Sequence, residues 1–151
     1  MFHIVDDTEV VGQLLTEIIE LFGNSAQWFS SPTKYLAFVE SPEFEKPTAV
    51  ITDVHMPEMS GYKMMKMVLD IYPDINFAVI SGEANIESKY KELACMYLVK
   101  PYEPQQIKLM IEKFSRCKNE GASVEIGCAE FGDRDFFRVG LCPCPKLECI
   151  R

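Results

Sequence analysis

The sequence predicts an α/β fold in which helices cover both faces of a five-stranded parallel sheet. Five short apolar runs alternate with longer segments whose apolar residues recur at the three- and four-residue spacing of a helix. The short runs are apolar at consecutive positions, which is typical of strands that are buried on both faces. Parallel strands need crossover connections, and these are right-handed, so this alternation predicts a doubly wound sheet.

The predicted strands are short, apolar and bounded by polar or turn-forming residues. In chain order they are Phe2–Val5, Ala26–Phe29 and residues 49–52, 77–80 and 95–99. The predicted helices are amphipathic and comprise residues 10–22, 32–39, 61–72, 86–93 and 105–114. Gly23 is a suitable stop for the first helix, Ser31 and Pro32 suit the start of the second, and Pro73 ends the third.

Charge and cysteine content divide the chain into two parts. The net charge of −8 belongs entirely to residues 1–114, whereas residues 115–151 are neutral and contain all four arginines and five of the six cysteines. We therefore predict a globular domain at residues 1–116 and a cysteine-rich tail at residues 117–151. The acidic balance disfavours nucleic-acid binding. The chain has no long apolar run and no basic start typical of a signal peptide, so a cytoplasmic protein without membrane contact is expected.

Polar residues follow four of the five strands where each ends, namely Asp6, Asp7, Asp53, Ser81 and Lys100. The carboxyl ends of parallel strands meet at one edge, where α/β proteins bind their ligands. Three carboxylates close together repel one another unless a cation lies between them, and oxygen ligands suit Mg²⁺. With a lysine and a hydroxyl added, this edge is suited to bind a phosphoryl group beside a carboxylate nucleophile.

Four stretches carry a resemblance to a known family: Val5-Asp6-Asp7, the run Asp53-Val54-His55-Met56-Pro57-Glu58-Met59-Ser60-Gly61, Ile80-Ser81-Gly82 and Tyr97-Leu98-Val99-Lys100-Pro101. Over residues 1–116 the sequence resembles the receiver domain of two-component response regulators, the family of the chemotaxis response regulator. The resemblance implies a flavodoxin-like sheet of strand order 2-1-3-4-5. It also implies a cis peptide bond between Lys100 and Pro101.

The resemblance further implies a site in which Asp53 accepts a phosphoryl group from the phosphohistidine of a sensor histidine kinase or a phosphotransfer protein. Asp6 and Asp7 would hold Mg²⁺ together with Asp53 and the backbone carbonyl of His55, and Asp7 is the favoured direct ligand.

Ser81 and Lys100 would bind the phosphoryl oxygens, and Tyr97 would change rotamer as Ser81 moves. A protein of this kind is a signalling switch that acts on a downstream protein and can form a homodimer. It is not a turnover enzyme, beyond its own phosphorylation and dephosphorylation.

Haloacid-dehalogenase-type phosphatases carry a second aspartate two positions after the nucleophile, where this chain has His55, so that enzyme class is disfavoured. Binding of a flavodoxin-type cofactor is also disfavoured, because carboxylates follow the first strand where a phosphate-binding loop would be.

The tail is too short for a typical DNA-binding domain and has no basic surface, so the expected target is a protein. Cys128, Cys142, Cys144 and Cys149 are candidate ligands for Zn²⁺ or an iron–sulfur cluster. Two alternatives stay open beside this interpretation, namely redox pairing of the cysteines and a tail that packs on the domain or on a partner. Val124–Glu130 and Phe136–Val139, on either side of Gly132 and Asp133, are candidates for a small hairpin in the tail. The corresponding alternative function is a receiver that senses metal or redox state through the tail.

Overall fold

A computed structural model describes residues 1–82 and 93–120 as one parallel sheet with helices on both faces. The strands are β1 (Phe2–Val5), β2 (Ala26–Phe29), β3 (Val50–Asp53), β4 (Phe77–Ser81) and β5 (Met96–Val99). All neighbours pair in parallel, in the order β2-β1-β3-β4-β5. The predicted flavodoxin-like sheet is confirmed, with β3 and β4 each ending one residue later and β5 beginning one residue later than the apolar pattern indicates.

The helices in the described part of the chain are α1 (Glu9–Leu21), α2 (Pro32–Val39), α3 (Gly61–Ile71) and α4 (Pro104–Glu120). The hydroxyls of Ser31 and Ser60 accept hydrogen bonds from backbone N–H groups in the first turns of α2 and α3. Gly23, just after α1, has a φ of 78°, a conformation that favours glycine. The last helix ends six residues later than predicted. The prediction ended at Phe114 because the apolar periodicity stops there.

Each face of the sheet has its own hydrophobic core. Ile4 points toward α1 and α4 and packs in the first core, whereas the next residue, Val5, packs in the second core beneath α2 and α3. This alternation follows from the two-residue period of a strand and requires apolar residues at both positions. Within the described ranges, no helix is both long and apolar enough to cross a membrane.

Some predictions fall outside the described residues. Of the helix predicted at residues 86–93, only Leu93 is described, and all of the tail beyond Glu120 lies outside the described residues. The four candidate metal-binding cysteines of the tail are therefore not described.

Candidate functional site

Asp53 is the last residue of β3, and its carboxylate lies at the carboxyl edge of the sheet. Its Oδ1 accepts hydrogen bonds from the backbone N–H of Val54 at 2.6 Å and of His55 at 3.4 Å. Its Oδ2 faces the ammonium group of Lys100. The side chain is 13% exposed, so the carboxylate is fixed by these hydrogen bonds and can still be reached from solvent.

Gly61 allows the first turn of α3 to pack directly against the backbone of Asp53. A Cβ atom at position 61 would lie 2.2 Å from the Asp53 carbonyl oxygen, closer than any side chain can approach. The Gly61 N–H donates to the Val54 carbonyl at 2.9 Å, which closes the connection between β3 and α3. Glycine at this position therefore helps to place the Asp53 carboxylate.

Lys100 follows β5 and links the site to two neighbouring strands. Its Nζ lies 2.8 Å from Asp53 Oδ2 and 3.5 Å from Asp6 Oδ2. Its backbone N–H donates to the Ser81 carbonyl at 2.7 Å, and its peptide bond to Pro101 is cis, as the resemblance implied. One residue thus connects the carboxylates with the end of β4.

Asp6 and Asp7 complete a cluster of three carboxylates with Asp53. One carboxylate oxygen from each residue lies within 4.8 Å of the other two. Asp6 is buried and its Oδ1 accepts a hydrogen bond from the Thr8 N–H at 2.8 Å, whereas Asp7 is exposed. Three hard oxygen donors at this separation fit a divalent cation such as Mg²⁺ that keeps part of its water shell.

Trp28 and Gly12 help to position Asp6, and neither residue was predicted from the sequence. The indole N–H of Trp28, in β2, donates to the backbone carbonyl of Asp6 at 2.8 Å. The indole ring packs so closely on α1 that a Cβ atom on Gly12 would lie 2.2 Å from its nitrogen. A glycine inside an otherwise good helix was the available signal, because it indicates close packing of another group.

Burial and the charges of the site together shift the pKa values of Asp6 and Lys100. Burial raises the pKa of Asp6, and the hydrogen bond from Thr8 and the charge of Lys100 only partly oppose this. Burial by itself would lower the pKa of Lys100, but its hydrogen bond to Asp53 and the charge of Asp6 outweigh burial and raise it. Lys100 is therefore a fixed positive charge between two carboxylates.

The remaining residues predicted for the site lie near it in different surroundings. Ser81 is fully buried at the end of β4, and Tyr97 is buried in β5 among the side chains of the second core. His55 is exposed on the connection after β3. The structure thus brings Asp6, Asp7, Asp53 and Lys100 into one cluster, with Ser81 joined to it through the backbone of Lys100.

Comparison with known proteins shows which family the sequence resembles. The family described as response regulator receiver domain matches residues 2–112. The chain is 29% identical over 116 residues to the transcriptional regulatory protein FixJ of Rhizobium meliloti, covering 75% of this chain and 55% of FixJ. It is also 29% identical over 116 residues to the chemotaxis protein CheY of Thermotoga maritima, and this match covers 75% of this chain and 95% of CheY.

Solved structures of similar proteins share the fold. A response regulator receiver domain protein from Clostridium thermocellum superposes with a TM-score of 0.69 at 27% identity, covering 78% of this chain and 94% of that one. The structure titled FixJ-N gives a TM-score of 0.67 at 29% identity, covering 76% of this chain and 92% of that one. The chain thus spans about half the length of FixJ but almost all of these single-domain structures.

Proposed function

The chain belongs to the response regulator receiver domain family, and from this we propose that Asp53 accepts a phosphoryl group and thereby switches a protein partner. The observation that carries the proposal is the placement of Lys100 Nζ 2.8 Å from an Asp53 carboxylate that has two further carboxylates beside it. A cluster of this composition concentrates negative charge at a reachable carboxylate and sets a fixed cation against it.

In the proposed reaction, one Asp53 carboxylate oxygen forms a bond to phosphorus. At the same time the P–N bond of a phosphohistidine, or the P–O bond of a small acyl phosphate, breaks. The leaving group keeps the electron pair, and a histidine leaving group takes up its proton from solvent. Positioning and charge stabilisation do most of the work in phosphoryl transfer, so the backbone donors at Val54 and His55 and the ammonium group of Lys100 are the relevant features.

Mg²⁺ is the cation that the carboxylate cluster fits, and we assign Asp6, Asp7 and Asp53 as its ligands together with the backbone carbonyl of His55. When bound, the ion would neutralise charge on the phosphoryl oxygens. Asp7 is the exposed member of the cluster and is the favoured direct ligand. Asp6, buried and hydrogen-bonded to Thr8, has the most fixed orientation.

The proposed switch runs through Lys100 and Ser81. Phosphorylation replaces the Asp53 carboxylate with a bulkier and more highly charged group, so the contact between Lys100 and Asp53 must rearrange. Because the Lys100 N–H donates a hydrogen bond to the Ser81 carbonyl at 2.7 Å, this rearrangement acts on the ends of β4 and β5. Ser81 would then bond a phosphoryl oxygen and Tyr97 would change rotamer, which biases the domain between two packings.

For the partners, we propose a sensor histidine kinase or phosphotransfer protein as the donor and a protein as the target. The net charge of −8 and the neutral tail support a protein target over DNA. The related proteins include both a transcriptional regulator and a chemotaxis protein, so the family by itself does not select the target. Control by metal or redox state through Cys128, Cys142, Cys144 and Cys149 stays a prediction from the sequence.

Intact-mass spectrometry after incubation with Mg²⁺ and acetyl phosphate tests the proposal. One phosphoryl group should add to the chain, and Asp53→Asn should prevent this addition. Asp74→Asn is the matched control, because Asp74 forms an exposed ion pair with Lys46 away from the carboxylate cluster. Equal phosphorylation of the wild type and Asp53→Asn would refute the assignment, as would a loss in Asp74→Asn as large as in Asp53→Asn.

A further inference from the structure

Helix α1 presents an apolar stripe to solvent on the side away from the sheet. Val10 is 74% exposed, Leu14 47% and Leu21 78%. Their spacings of four and seven residues place them in one row, which we call the α1 stripe. The opposite side of the same helix, with Leu15 and Ile19, fills the first core. Half of the six large apolar side chains that are exposed among the described residues belong to this stripe.

The α1 stripe is also acidic. Glu17 lies in the row between Leu14 and Leu21, and Glu20 lies beside it; both side chains are exposed. The helix contains three glutamates and no lysine or arginine. A segment that covers the stripe should therefore combine large apolar side chains with positive charges.

One segment of this chain has that composition. Residues 134–138 read Arg-Asp-Phe-Phe-Arg, so that Phe136 and Phe137 are flanked by Arg134 and Arg138. Aromatic residues and arginine are the types enriched at protein interfaces. The first 115 residues contain no arginine at all, so these two are among the few guanidinium groups available to the acidic side of α1. We infer that residues 134–138 dock on the α1 stripe.

The connecting chain is long enough for this docking. α4 packs beside α1, and Lys108 Nζ lies 5.8 Å from the ring centre of Phe22, at the end of α1. Glu120 is about 18 Å further along α4, and the stripe from Val10 to Leu21 is about 16 Å long. Residues 121–133 can span up to about 43 Å when extended, which exceeds the two distances together.

Nuclear Overhauser effects (NOEs) in the full chain test the inference directly. Ring protons of Phe136 and Phe137 should show NOEs to the methyl groups of Val10, Leu14 and Leu21. The exposed methyl groups of Ile71 on α3 are the control and should show none.

Charge reversal supplies the second part of the test. The double variant Arg134→Glu/Arg138→Glu should lose the NOEs, Arg134→Lys/Arg138→Lys should keep them, and adding Glu17→Lys/Glu20→Lys to the first pair should restore them. Far-UV circular dichroism checks that α1 stays folded in each variant, since all the changed positions on α1 are exposed.

A sample that mixes isotope-labelled and unlabelled chains distinguishes docking within one chain from docking between two chains. NOEs within one chain, lost and restored as described, support the inference. NOEs only between labelled and unlabelled chains would mean that a second copy covers the stripe. No NOEs, with stripe resonances unchanged by Arg134→Glu/Arg138→Glu, would leave the stripe to a separate partner. Either of these two results overturns the inference, and neither depends on whether Asp53 is phosphorylated.

Discussion

Replacing His3 with leucine should remove a loss of stability that the wild-type protein undergoes as the pH falls from about 7 to about 5. His3 lies fully buried in β1, surrounded by aromatic rings whose centres are 5.6 to 6.0 Å from its own: Phe29, Tyr35, Phe38 and Phe44. Its Nδ1 lies 3.2 Å from the Tyr35 hydroxyl. Its Nε2 has no hydrogen-bond partner among the described residues. A charged imidazolium would therefore be poorly solvated.

The structure fixes the sign and the size of the effect. Burial, helped by the charge of the N-terminal amine, lowers the pKa of His3 from 6.5 to about 4. The unfolded chain therefore binds the proton first, and its binding favours unfolding as the pH falls below about 6.5. This difference in pKa corresponds to a loss of about 2 kcal/mol by about pH 5 and about 3 kcal/mol by about pH 4.

Urea denaturation at several pH values, followed by fluorescence of the single tryptophan, Trp28, measures this loss. The quantity compared is the difference in unfolding free energy between wild type and His3→Leu at each pH. The raised pKa of Asp6 acts in the opposite sense but is common to both proteins and cancels. The constant cost of leaving the Tyr35 hydroxyl without its partner also drops out of the pH dependence. Parallel stability profiles for the two proteins would refute the reasoning.

Three further substitutions test local contacts of the fold, two of them beside the site. Gly61→Ala should destabilise the fold by about 1–3 kcal/mol in urea denaturation, because the alanine Cβ meets the backbone oxygen of Asp53; Gly82→Ala, whose Cβ would have no atom of the described residues within 4 Å, is the control. Gly12→Ala should shift the fluorescence of Trp28 by displacing its ring, whereas Gln13→Ala on the exposed side of α1 should not; an unchanged spectrum would contradict the close contact. Ser31→Ala should cost about 1 kcal/mol in thermal or urea unfolding through loss of the α2 cap, and a cost near zero would show that the cap bond is not stabilising.

Much of the site could be predicted from the sequence because parallel strands bring their carboxyl ends to one edge. Asp6, Asp53 and Lys100 are far apart in the chain, but each follows a recognisable apolar run, so their meeting follows from the alternation of strands and helices. No comparable rule identifies Trp28 as the partner of the Asp6 carbonyl, since that contact depends on the packing of β2 against α1. The aromatic surroundings of His3 could not be predicted either, because the rings come from β2, α2 and the connection that follows α2.

The most direct test of the central claim is to locate the phosphoryl group on the chain. Borohydride reduces the acyl phosphate of an aspartate to homoserine, so peptide mass spectrometry after treatment with acetyl phosphate, Mg²⁺ and borohydride marks the residue that was phosphorylated. We expect homoserine at position 53 and unmodified aspartates at positions 6 and 7. Homoserine at position 6 or 7, with Asp53 unchanged, would contradict the assignment of Asp53 as the phosphoacceptor.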